Sequence, residues 1–181
     1  RHSVIVAVIS AAVMLLQIPG MMRIDVNMDY TETMGEKIPF VTRLKDMLSG
    51  KLGSLYDFNV MVEFDDADAL KDPANMKRIE QLEQKLGTLQ LTKVSGDKPR
   101  VQSVTRLVKE MNRTLNADSI EYYKIPDAQD MLTQLLFLYE ISDPDALFER
   151  MDENYKTTFI HIELAGYDAN KIVEDLDSAK S

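Results

Sequence analysis

The sequence contains no cysteine. Disulfides, thiolate nucleophiles and cysteine-ligated zinc are therefore excluded outright. Tryptophan is absent too, and there are only two histidines, His2 and His161. A zinc enzyme would have to rely on carboxylate-rich ligation, which is uncommon. No G-x-S-x-G, phosphate-binding loop, Rossmann glycine pattern or H-E-x-x-H occurs, so no catalytic signature is present. Positive charge is scarce as well: 21 Lys and Arg stand against 30 Asp and Glu, giving −9 at pH 7. Duplex binding needs a cationic face to displace counterions from phosphates, so nucleic acid is not an expected partner. The same charge disfavours anionic lipid surfaces for the polar part of the chain. We expect no enzyme activity and no cofactor or metal.

What is present begins with an uncharged run from Ser3 to Met22, in which Ser10 and Gln17 are the only polar interior residues. As a helix it would be about 30 Å long, close to one hydrocarbon core. Three readings compete. A signal peptide would use Arg1 as its basic flank, but no A-x-A site follows. A core helix would show one wet face. A transmembrane helix fits the length, the lack of charge and the Pro19-Gly20 breaker best. The absence of an initiating Met points to a chain trimmed from something longer. The expected divisions are a transmembrane helix over 1–22, a connecting segment with an amphipathic helix over 23–56, and an extracytoplasmic α/β domain over 57–181.

Within the connecting segment, Pro39 opens a helix with Phe40, Val41, Leu44, Met47 and Leu48 on one face, stopped by Gly50 and Gly53. Tyr56–Phe64 alternates as a strand, with Phe58, Val60, Val62 and Phe64 on one side and Asn59, Met61 and Glu63 on the other. Asp72-Pro73 is a cap followed by a first-turn proline. The helix it starts carries Met76, Ile79, Leu82, Leu86 and Leu89, and runs to about Gln90. Gly96-Asp97-Lys98-Pro99 is a turn, and Val101-Gln102 a short strand. Ser103 caps a helix expected to bury Val104, Leu107, Val108, Met111 and Leu115. Ile125-Pro126-Asp127 is read as another cap. The wide apolar stripe of the next helix, Ala128–Glu140, predicts cover on more than one side. Tyr139 and Glu140 are read as its polar edge, with the tyrosine hydroxyl expected to find a buried partner. Asp143-Pro144 repeats the capping device. Thr157–Leu164 is the clearest strand, with Ile160, Ile162 and Leu164 on one side and Phe159, His161 and Glu163 on the other. Asp168 is expected to cap a last helix burying Ile172, Val173 and Leu176.

The order strand, helix, strand, helical insert, strand, helix fits an α+β fold of ferredoxin-like, split βαβ type. It carries a helical insertion and stops before a fourth strand. A sheet left incomplete in this way has an unpaired edge prone to association.

Two clusters invite a chemical reading. Asp65, Asp66, Asp68 and Asp72 follow a strand, but a calcium loop starting at Asp65 would need Gly and Glu where Leu70 and Met76 stand. A solvated loop with a helix cap is the simpler reading. His161 lies beside Glu163, yet no nucleophile or third partner accompanies it, and an ordinary half-exposed histidine fits better. Asn112-Arg113-Thr114 matches the glycosylation triplet but falls inside a helix.

The passages V-x-S-V-x-x-L-V-K-E-M-N from Val101 to Asn112, Tyr122–Asp127, and Gln134–Glu140 resemble the RND superfamily of exporters. The branch they resemble is the MMPL type, related to sterol-sensing and hopanoid-transport proteins. Pro19–Asp25 is similar to the G-x-R-x-D loop that follows a transmembrane helix in that branch. The resemblance implies a porter loop, the second of two, preceded by the seventh helix of a twelve-helix protein in the inner membrane. It implies proton-driven export of lipids or other hydrophobic molecules. The proton-relay carboxylates of that family lie in other membrane helices, and no residue here matches them. The implied partners are membrane lipids, the remaining halves and subdomains of the transporter, and a hydrophobic substrate, with homo-oligomer formation left open. The candidate groove wall is the less apolar strand face: Asn59, Met61, Phe159, His161 and Glu163. The rival reading is a single-pass anchored binding or assembly module without transport activity.

Overall fold

Alternation of apolar and polar residues makes two long strands and decides which face each buries. In the computed structural model, β1 (Tyr56–Glu63) and β5 (Thr157–Leu164) pair antiparallel, with Tyr56 opposite Leu164 and Glu63 opposite Thr157. The structure describes residues 2–21, 35, 38–49, 53–166 and 171–175. Side chains are described in the first helix at 5, 6, 8–10 and 12–17, and in the second through 47. The expected Asp168 cap, Leu176 and the Gly50 stop lie outside these residues.

Helix α1 covers His2–Met21. Its described side chains, including Ile5, Val8, Met14 and Leu16, are exposed on all sides. Among the described residues no helix is long and apolar enough to cross a membrane, so the expected transmembrane span is not found. Helix α2 (Pro39–Ser49) forms where the proline and its periodicity predict it. Its apolar face is mostly open, however: Val41 is buried while Phe40 and Met47 are exposed.

From Gly53 onward the chain is an α+β arrangement of several helices and a small antiparallel sheet. The sheet order is β1-β5-β4, with β4 (Val101–Gln102) antiparallel to β5. β1 and β4 therefore run parallel to each other on either side of β5. The connection between them contains helix α3 (Pro73–Leu86) and a small hairpin, β2 (Val94–Ser95) with β3 (Lys98–Pro99). This hairpin, turned at Gly96 with φ +64, is an excursion from one strand edge. Lys93 N donates to Glu163 O (2.8 Å), Glu163 N donates to Arg100 O (3.0 Å), and Arg100 N closes the excursion on Lys93 O (2.7 Å). The sequence marks the turn but not this detour.

Helices α4 (Val104–Leu115), α5 (Gln129–Ser142) and α6 (Pro144–Phe148) form the insertion before β5. One core joins sheet and helices. Ile160 and Ile162 from β5 pack with Met76 and Ile79 of α3, Val104 and Val108 of α4, and Leu132, Leu135 and Leu136 of α5, all essentially inaccessible. Burying such side chains contributes about 1.5–3 kcal/mol each. The opposite sheet face, carrying Asn59, Met61, Phe159 and His161, has no layer over it among the described residues.

The capping predictions hold at three sites. Asp72 accepts from Ala74 N (2.8 Å), Ser103 from Thr105 N (3.2 Å) and Asp143 from Ala146 N (3.2 Å). Asp127 does not cap. Ala128 occupies the N-cap of α5 without a side-chain bond, and Asp127 pairs with Lys77 instead. α3 also ends earlier than Gln90, at Gly87, where Pro99 of the hairpin closes in.

Three burial predictions are corrected. In α4, Leu115 is exposed while Thr105 and Asn112 are buried, because their polar atoms are satisfied. Thr105 Oγ1 donates to Glu83, and Asn112 Nδ2 donates to Lys124 O (2.9 Å). In α5, the wide stripe is covered on one side only, leaving Met131, Phe137, Leu138 and Ile141 exposed. In the helical residues 171–175, Val173 is exposed and Asp175 is buried, accepting from Leu91 N (3.1 Å) and Gln90 N (3.4 Å). The hydroxyl that reaches Glu140 belongs to Tyr155, at 2.5 Å, while Tyr139 packs on the core. Burial first, and then the Glu140 carboxylate, push the Tyr155 phenol well above its usual range.

Candidate functional site

The open sheet face is built by the out-pointing half of each strand. Because strand side chains alternate, the register that buries Ile160 and Ile162 forces Phe159 and His161 outward. Antiparallel pairing then sets Met61 opposite Phe159 and Asn59 opposite His161. Gln102 of β4 lies opposite His161 on its other side. The segment before β5 completes the wall. Arg150 O accepts from Phe159 N and from Thr158 Oγ1, both at 2.8 Å, which fixes Glu149 and Arg150 at the edge of the face.

The result is a shallow hollow of about 320 Å³ lined by Asn59, Gln102, Glu149, Arg150, Phe159 and His161. His161 Nδ1 lies 3.0 Å from Asn59 Oδ1. An amide oxygen only accepts, so this contact is a hydrogen bond in the tautomer that carries its proton on Nδ1. Asp57 Oδ2 lies 3.7 Å from the same Nδ1. The guanidinium of Arg150 is held by Ala146 O at 2.7 Å, with Glu149 at 3.7 Å.

Of the five residues read from the sequence, three line this hollow: Asn59, Phe159 and His161. Met61 sits beside it, 60% exposed and paired with Phe159. Glu163 shares the face but lies apart, its Oε2 buried with no hydrogen-bond partner among the described residues. Gln102, Glu149 and Arg150 were not anticipated. Gln102 could have been found from the strand register, since a short partner strand must present one of its two residues beside His161. The other two arrive through a loop that no periodicity predicts.

The hollow offers an aromatic face, two amides, an imidazole, a guanidinium and a carboxylate, with the Met61 thioether beside it. That set suits contact with a partly apolar molecule. It contains no serine or lysine nucleophile beside the imidazole, and the described residues hold no cluster of metal-ligating side chains. The acidic loop resolves into structural roles: Asp72 caps α3 and Asp68 pairs with Lys71 at 2.7 Å. Asn112 of the glycosylation triplet is buried and bonded.

No family model, no curated protein and no solved structure matches the chain.

Proposed function

We propose that this chain is the substrate-handling piece of a proton-driven membrane exporter of lipids or other hydrophobic molecules. In this reading residues 57–181 belong to a ferredoxin-like porter subdomain on the extracytoplasmic side, and α1 is the membrane-associated segment. The observation that carries the reading is the uncovered sheet face, where exposed Met61 and half-buried Phe159 lie beside the hydrogen-bonding groups of Asn59 and His161. A flat apolar strip with a polar margin suits an amphipathic molecule sliding into a cleft between subdomains.

Two further features support it. β5 lies between the parallel strands β1 and β4, the order expected of a split βαβ unit. The exposed side of α5, with Phe137, Leu138 and Ile141, is apolar surface that a neighbouring subdomain would cover. Movement of such packed bodies against each other is how alternating access operates. None of the residues discussed is assigned to the proton step.

The test is efflux of a fluorescent phospholipid from cells or proteoliposomes carrying the whole protein of which this chain is part. Phe159→Ala combined with Met61→Ala should slow efflux several-fold while leaving expression intact. Unchanged efflux would refute the groove. Retained partner binding with no efflux in the wild type would favour the anchored binding module instead.

A further inference from the structure

A second concavity lies on the other side of the domain, between α3, the β2–β3 hairpin and α4, and has a volume of about 570 Å³. That falls within the ~300–1,000 Å³ usual for small-ligand sites. Its charge runs against that of the chain. Lys98, Arg100, Arg106, Lys109 and Arg113 line it with Glu80, Glu83 and Glu110. Five cations against three carboxylates leave the lining at +2, in a protein of net −9.

The carboxylates are already engaged. Glu80 holds Lys109 at 2.7 Å, Glu110 holds Arg113 at 3.0 Å, and Glu83 accepts the hydroxyls of Ser103 and Thr105. Lys98 and Arg106 are exposed and form no ion pair among the described residues. Arg106, Lys109 and Arg113 follow one another at spacings of three and four, so they project from one face of α4. The ring of Tyr123 lies 5.5 Å from the Lys109 ammonium and 5.8 Å from the Arg113 guanidinium, which steadies that row. Across the groove, Pro99 rests on Gly87, fixing the hairpin that carries Lys98 against the end of α3.

We infer that this groove binds the phosphate group of a small phosphorylated ligand. Guanidinium forks from Arg106 and its neighbours match phosphate oxygens, and Lys98 adds a point charge from the facing wall. The surrounding negative charge opposes a long polyanion, so a nucleic acid is not the ligand. The inference uses α3, the hairpin, α4 and Tyr123, none of which carries the exporter reading, so it does not depend on it.

The phosphate could belong to a free molecule or to a lipid headgroup, and the experiment separates them. The full 181-residue chain, in non-ionic detergent micelles at about 50 mM salt, is titrated calorimetrically with sodium tripolyphosphate. In parallel it is titrated into micelles doped with phosphatidic acid. Saturable binding of at least one probe is expected. Arg106→Glu and Lys98→Glu should each weaken it by about tenfold or more, and Arg106→Gln by less. Both positions are exposed, and unchanged circular dichroism confirms the fold. Lys77→Glu, outside the groove, should leave binding nearly intact. Binding of doped micelles alone identifies a headgroup, and binding of tripolyphosphate alone a free phosphate. No saturable binding of either probe up to about 10 mM overturns the inference. So does binding that the groove variants leave unchanged, or that Lys77→Glu weakens equally.

Discussion

Glu83 joins α3 to the start of α4, and removing its carboxylate tests whether the buried hydroxyls beneath the groove depend on it. Its Oε2 accepts from Ser103 Oγ at 2.7 Å and from Thr105 Oγ1 at 2.5 Å. Both donors are wholly buried. The two hydroxyls lie 2.9 Å apart, and Ser103 Oγ already accepts from Thr105 N. In Glu83→Ala, one hydroxyl can turn to donate to the other, but the second donor is stranded. A stranded buried donor costs about 1–3 kcal/mol, and the lost bonds were to a charged acceptor, so the total should be about 2–3 kcal/mol. For a chain of this size that is a Tm fall of roughly 5–10 °C. Glu83→Gln keeps an oxygen that can take both donors and should cost about 1 kcal/mol. Urea and thermal unfolding of the full chain in micelles, followed by circular dichroism, measure both. An alanine variant within about 0.5 kcal/mol of wild type, or a glutamine variant as damaged as the alanine one, would refute the reasoning. The same substitution removes a negative charge from the groove. Glu83→Ala should therefore tighten tripolyphosphate binding even as it weakens the fold, which separates the two effects.

Gly87 has an ordinary helical φ of −65, so its need for glycine is steric. An added Cβ would meet Pro99 Cγ at 2.9 Å and Gln84 O at 3.2 Å. Gly87→Ala should destabilise by about 1–2 kcal/mol despite its better helix propensity, and adding Pro99→Gly should recover part of the loss in urea unfolding. Asp152 gives a pH dependence. Burial pushes its carboxyl up, but the N–H groups of Thr157 and Lys156, each at 2.7 Å, outweigh burial and hold it below the ordinary 3.8. A carboxylate depressed in the folded state contributes fully above its unfolded pKa and loses that contribution as pH falls through its folded value. Wild-type urea midpoints measured from pH 7 to about 3 should fall at the acid end. Asp152→Asn should start lower and lack that part of the decline.

The strands β1 and β5 and the faces they present were legible in the sequence, because each alternates over its whole length and one face is distinctly more apolar. The caps at Asp72, Ser103 and Asp143 were legible because each is a contact within three residues. Asp127 looked like a fourth cap, but Lys77, fifty positions away in the chain, captured it. The buried polar residues were not legible. Helical periodicity does not mark Thr105, Asn112 or Asp175 for burial, which depends on Glu83, Lys124 and the 90–91 backbone being brought to them. The same holds for the exposed apolar side of α5, since a wide stripe does not say how many neighbours will cover it.

Half of the candidate site follows from local pattern alone: period-two alternation put Asn59, Met61, Phe159, His161 and Glu163 outward on their strands. Pairing register decided which of them meet. It set Phe159 and His161 against Met61 and Asn59, brought Gln102 alongside, and left Glu163 two residues away. The basic groove owes still more to tertiary structure. Its cations come from a hairpin and a helix on a chain whose composition is acidic, and composition averages over the whole surface. Only packing Pro99 on Gly87, and α4 beside α3, gathers those charges on one side of the molecule. Local sequence sets the direction of each side chain along its own element, whereas contacts between distant elements determine which side chains share a space.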